Sequence, residues 1–308
     1  MQGSAAGGVE AHVKGMAIMV LSVLLLPLMD AIGKWLAMMD NMPPATVTFM
    51  RFFVQSLLML LILLAAGGGV AALRTQHLAG NLIRGFLMGF GGLCFFTAVK
   101  YMPLGDAMAV FFAEPLILTL LSAIFLKEKV GWRRFSAVGI GLIGTMIVIQ
   151  PSFEIFGAVS LLPLATAVTF AIYLILNRKL GAKESPLVMQ LYAGIGGWMF
   201  AGFAMLVGPS MGFADLSFGL PHGIQPWLLL LLLGTIGTVS HLMVVHAFKL
   251  APASMLAPFQ YLEIVNAVLV GLIVFGDFPT PSKWFGIAII IGSGFYVFMR
   301  ERKLKVEA

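Results

Sequence analysis

The sequence predicts an all-α membrane protein of ten transmembrane helices, arranged as two inverted five-helix repeats. Three observations lead there. The 308-residue chain is 60% hydrophobic and only 10% charged, with mean hydropathy +1.01, whereas a soluble domain is about 25% charged. Its apolar residues fall into ten runs close to the roughly 20 residues that cross a bilayer. Two of these runs also repeat each other at a fixed spacing, with the same polar residues in the same places.

The predicted spans, in order, cover residues 15–36, 45–66, 80–101, 104–126, 132–149, 157–177, 186–207, 226–250, 253–275 and 281–299. Proline punctuates the joints at Pro43, Pro44, Pro103, Pro151, Pro186, Pro252, Pro279 and Pro281, because proline ends a helix or starts a new one. The longest gap, 208–225, holds Pro209, Asp215 and His222 and reads as one external loop. The first run contains Asp30 and Lys34 and is longer than a signal-peptide core, so it reads as a first span rather than a leader. The predicted organisation is a tail at 1–14, five-helix repeats at 15–150 and 157–299, and a basic tail at 300–308.

Basic residues set the orientation. With the N-terminus inside, 15 of the 19 Lys and Arg fall in cytoplasmic segments. The outer side holds Lys34, Lys100 and Lys283, and Arg51 stays inside a span. Both termini are therefore expected in the cytoplasm, with the chain in the inner (plasma) membrane. The net charge of +6 follows these short loops, which is a topology signal and not a nucleic-acid footprint. The lone Cys94 excludes an intramolecular disulfide and a cysteine-based metal cluster.

The internal repeat carries the functional reading. Ala98-Val99-Lys100-Tyr101-Met102-Pro103 corresponds to Ala247-Phe248-Lys249-Leu250-Ala251-Pro252, and Glu114 to Glu263, each pair 149 positions apart. At the same offset Gly85 matches Gly234 and Glu128 matches Asp277. Five spans per copy is an odd number, so the second copy enters from the opposite side. Inverted repeats of this kind recur in secondary transporters, with the substrate site near the midplane between halves. A carboxyl at mid-span costs about 2.5–3.5 kcal/mol on insertion scales, so the paired acids mark a site or a requirement of the fold.

The residues Pro103-Leu104-Gly105-Asp106, Phe112-Ala113-Glu114-Pro115-Leu116, Phe125-Leu126-Lys127-Glu128-Lys129 and the Gly139/Gly141/Gly144 run, with the second copy from Pro252 to Glu263 and Phe275-Gly276-Asp277, resemble the drug/metabolite transporter superfamily built from EamA-type units. The resemblance covers residues 15 to about 300. It implies ten helices, inverted symmetry, cytoplasmic termini and small-metabolite transport. Met29-Asp30-Ala31-Ile32-Gly33-Lys34-Trp35 and Phe49-Met50-Arg51-Phe52-Phe53 are similar to the branch that includes S-adenosylmethionine and riboflavin importers. The motifs identify the superfamily and not a substrate.

Nine residues are candidates for substrate binding or coupling. Asp30 and Lys34 share a helix face and either line the cavity or form a structural pair. Arg51 offers bidentate geometry for a carboxylate or phosphate, or anchors at the interface. Glu114 precedes Pro115, whose ring frees a carbonyl one turn back. It binds substrate, carries a proton or pairs with a neighbouring cation. Gln260, Glu263 and Asn266 project from one stripe with Tyr261 beside it, lining a cavity or gluing helices. His241 could couple a proton or simply pack. His246 lies five residues on, about 140° round the helix, so the two form no metal face.

The sequence carries no nucleophile triad, phosphate-cradling loop or metal cluster, so the protein is expected to be no enzyme and to use no cofactor. Its expected partners are a small-molecule substrate, the bilayer and a coupling proton. Rival readings are a channel, a scaffold subunit or a lipid-modifying enzyme, and, within transport, an exporter of amino acids or toxic metabolites. The sequence fixes neither direction nor oligomeric state.

Overall fold

The computed structural model describes residues 2–65, 73–125, 132–180, 184–251, 256 and 259–306. The Lys127-Glu128-Lys129 part of the family motif and Pro252 lie outside these residues. The described residues form α1 (Gln2–Met38), α2 (Pro44–Leu63), α3 (Leu78–Tyr101), α4 (Leu104–Phe111), α5 (Glu114–Phe125), α6 (Trp132–Phe156), α7 (Leu162–Leu180), α8 (Pro186–Val207), α9 (Ile224–Leu250), α10 (Leu262–Phe275) and α11 (Pro281–Val306). Short 3₁₀ turns at Gly157–Leu161, Gly208–Met211 and Ala214–Leu216 complete the chain.

Local chemistry explains most boundaries. α2 and α8 open with proline in the first turn, where its missing N–H is not needed. α10 closes on Gly276 at φ +72°, with Gly276 N–H bonded to Leu272 O and Asp277 N–H to Gly271 O. That left-handed cap, natural to glycine, fixes where Asp277 points. The expected fourth span is two helices, because Pro115 cannot continue the ladder through the preceding turn. Ala113 N–H bonds Val110 O, one residue tighter than an α-helix, and α5 then starts at Glu114. The expected fifth span is longer than its apolar run: α6 continues through Pro151 to Phe156 and stops where Gly157 takes φ +62°.

Among the described residues, seven helical stretches are long and apolar enough to cross a membrane: Ala11–Met38, Pro44–Leu63, Leu78–Tyr101, Leu104–Phe125 (α4 with α5), Ser152–Asn177, Pro186–Met211 and Ile224–Ala247. The shorter apolar stretches Gly139–Ile149 and Leu262–Phe275 lie in the regions of the expected fifth and ninth spans. Polar residues at both ends of α6, and the break before α10, shorten those two.

Helix packing is reciprocal between the halves. α1 packs on α9 and α3 on α7; α2 packs on α9 and α3 on α8; α5 packs on α7 and α1 on α10. α2 pairs with α8, and α6 with α11. Small residues allow the closest approaches, the interface chemistry expected in lipid. A Cβ on Gly85 would come within 2.6 Å of the Gly196 backbone, and one on Gly286 within 2.8 Å of Gly144 O. Hydrogen bonds add to this: Ser22 Oγ donates to Ser240 O at 3.0 Å, Gln55 Nε2 to Gln190 O at 3.1 Å, and Thr166 Oγ1 to Gly91 O at 3.0 Å.

Candidate functional site

α1 presents Met19, Val23, Leu26 and Asp30, a single stripe at helical spacing. Together with α2, α3, α4, α7 and α9, Gln260 and the start of α10, it lines a partly open cavity of about 170 Å³. The charged and strongly polar side chains facing it are Asp30, Arg51, His241, Gln260 and Glu263, with the hydroxyls of Thr166 and Thr169 beside them. The aromatic ones are Phe95, Phe96, Phe111 and Phe170, from α3, α4 and α7. Phe111 links this group, with ring centroids 6.1 Å from Phe95 and 5.7 Å from Phe170.

Arg51 is held in an unusual way. Its guanidinium lies over the Phe52 ring, 4.5 Å from the centroid. Two glycines make room for it: a Cβ on Gly92 would sit 3.4 Å from Nη1, and one on Gly237 would sit 3.6 Å from Nε. Arg51 is only 5% exposed, yet its Nε has no hydrogen-bond partner. Among the described residues, the side chains of Asp30, Arg51 and Glu263 make no hydrogen bond or close ion pair. They act on one another through space: Arg51 with Asp30, and Glu263 with Asp30 and Glu114. His241 differs, with Nδ1 2.7 Å from Gly237 O in the preceding turn.

Five of the nine sequence candidates thus meet at the cavity: Asp30, Arg51, His241, Gln260 and Glu263. The other four are placed beside it. Lys34, one turn beyond Asp30, does not pair with it. Lys34 Nζ instead binds Asp277 Oδ2 at 2.6 Å and Met102 O at 3.1 Å, and lies over the Phe275 ring. Asn266 donates to Leu24 O on α1 at 2.8 Å, so it joins two helices. Tyr261 packs against Phe112, centroids 5.8 Å apart. Glu114 is buried next to this pair and interacts electrostatically with Tyr261 and Glu263. Both repeat acids occupy the first turn of a helix, Glu114 in α5 and Glu263 in α10, where a carboxylate complements the helix dipole.

The sequence reading missed the aromatic lining as a unit, and also Thr166 and Thr169, which face the cavity from α7. Their signal was the i, i+3, i+4 spacing of Thr166, Thr169 and Phe170, which resembles ordinary core patterning. It also missed an ion-pair cluster at the far end of α1: Lys34 with Asp277, and Lys283 of α11 with Asp106 of α4. Lys283 and Asp106 are both buried.

A sequence profile of the EamA-like transporter family matches residues 13–150 and 157–299. The chain belongs to this family. Like other EamA-like transporters it is a multi-pass membrane protein that transports a small molecule and is not an enzyme. It is 29% identical to the "Riboflavin transporter" of Vibrio cholerae, over 94% of each chain. It is 28% identical to the "S-adenosylmethionine uptake transporter" of Rickettsia prowazekii, over 96% of this chain and 95% of that one. A "Pseudopaline exporter" of Pseudomonas aeruginosa is 25% identical over 90% of this chain and 93% of that one. A solved crystal structure, 20% identical, superposes with TM-score 0.61 over 93% of this chain and 96% of that one, a likeness of fold alone.

Proposed function

We propose that this EamA-like transporter is a secondary carrier of the inner membrane that moves a small polar, ring-bearing metabolite of the riboflavin or S-adenosylmethionine kind by alternating access. The observation that carries the reading is the central cavity. Three ionisable side chains face it without a hydrogen-bonding partner among the described residues, and intramembrane charges of this kind mark substrate and ion pathways. The reciprocal packing of the helices supports two inverted five-helix repeats and ten spans. It fits the rule that secondary carriers bind substrate between such halves. On this reading both termini are cytoplasmic, Glu263 and Asp30 serve substrate or a coupling proton, and Glu114 supports Glu263 from the matching position of the other repeat.

Alternating access needs two ends that close in turn. The Lys34–Asp277 and Lys283–Asp106 pairs join α1 and α4 to α10 and α11 across the two halves. On this reading those pairs close that end when formed and break when it opens. Relatives carry names of both uptake and export. Direction follows whichever gradient couples to the cavity.

The test is uptake of radiolabelled riboflavin and S-adenosylmethionine into proteoliposomes. A carrier saturates and shows counterflow when preloaded with unlabelled substrate. Flux that rises linearly with concentration, without counterflow, would sink the carrier reading in favour of a channel.

A further inference from the structure

We propose that the cavity is built for a zwitterion on a flat ring system: Arg51 takes the carboxylate, Asp30 and Glu263 take the cationic group, and the Phe95–Phe111–Phe170 rings take the flat body. This rests on the transport reading of the same cavity and adds the class of substrate to it.

Arg51 is the starting point. A guanidinium has five N–H donors in a fixed fork that matches a carboxylate bidentately. Here it is only 5% exposed, its Nε is unpartnered, it is bonded to no acceptor among the described residues, and it lines the cavity between two glycines. A buried cation without acceptors is costly, so the arrangement is explained if a ligand supplies them. The neighbouring acids decide what kind of anion that is. Asp30 and Glu263 supply two carboxyls against one guanidinium, which disfavours a phosphate dianion and favours a single carboxylate with a cation close by. An α-amino acid end satisfies both requirements at once. Aromatic faces add attraction for a ring and for a cation next to it.

The measurement is ligand-induced thermal stabilisation and calorimetric binding on the purified full-length protein in lipid nanodiscs. The probes form a graded set: S-adenosylhomocysteine, which carries ring and amino acid end; its decarboxylated analogue, which keeps only the amine; 5′-methylthioadenosine, which keeps only ring and thioether; and riboflavin, a neutral flat ring. S-adenosylhomocysteine is expected to bind about 10- to 100-fold more tightly than either truncated analogue, the range for charge-assisted hydrogen bonds. Arg51→Gln should remove the advantage over the decarboxylated analogue and leave the weaker binding of that analogue in place. Arg51→Lys should recover part of it. The wild-type ranking stands alone should the variants fail to fold. Equal binding of the graded set, or no binding by S-adenosylhomocysteine, overturns the proposal. Saturable riboflavin uptake with no zwitterion preference would do so while leaving the carrier reading intact.

Discussion

Two buried arginines, Arg51 and Arg84, differ in what surrounds them. Each lies over an aromatic ring, Arg51 over Phe52 and Arg84 over Tyr173, with centroids 4.5 and 4.9 Å away. Arg84 uses four of its five N–H donors: it donates to Asn177 Oδ1, Asn81 Oδ1, Tyr173 OH and Met189 O. Arg51 donates to no protein atom among the described residues. The lesson is that a charge in the membrane is structural when the protein supplies its partners and available to a ligand when it does not. The same division separates Lys34, Lys283, Asp106 and Asp277, all tied in ion pairs, from Asp30 and Glu263, which face the cavity.

The comparison can be broken by substitution. Arg84→Gln strips charged donors from three buried acceptors and one partly buried one. It is expected to destabilise the protein by about 3 kcal/mol or more, because unmet buried groups cost about 1–3 kcal/mol each. Asp106→Asn should behave similarly, since removing one partner of a buried pair costs about 3–5 kcal/mol. Lys283→Met added to Asp106→Asn should restore much of the loss. Melting followed by intrinsic fluorescence in detergent checks both. Arg51→Gln and Glu263→Gln should instead keep the melting temperature within a few degrees while uptake falls by about 10-fold or more. Arg51→Gln melting as early as Arg84→Gln, with uptake per folded molecule unchanged, would erase the distinction.

Smaller effects sharpen it. Gln260→Ala should lower uptake, and Asn266→Ala should lower stability by about 0.6 kcal/mol, the mean for interhelical hydrogen bonds in lipid. The smallest effect belongs to the loop pair at Glu184, whose carboxylate accepts from Thr75 Oγ1 and from the amides of Gln76 and His77. Slight burial raises its pKa, but these hydrogen bonds outweigh that and hold it below the usual carboxylate range. Its contribution is therefore complete above the ordinary carboxylate range and fades as pH falls through the lowered value. Glu184→Gln should flatten that part of the stability–pH curve and leave uptake at neutral pH unchanged.

Much of this was legible in the sequence because lipid imposes a simple rule. Apolar runs form helices, and many of the prolines fall at helix starts or joints. The family followed from the repeated motifs; Pro115 pointed to an irregular backbone before Glu114, but not to a span split into two helices. Five of the nine candidate residues line one cavity because an ionisable group at mid-span needs a polar environment, and the bundle centre provides it. The partner of each charge was not legible. Asp30 and Lys34, four residues apart, look like a pair along the helix. The chain instead returns Asp277 to Lys34 from 243 positions away. Hydrogen bonding is decided by distances of a few tenths of an ångström between residues far apart in sequence. Sequence therefore determined which charges lie within apolar spans, and only the packed structure decided which of them are tied to one another and which face the cavity.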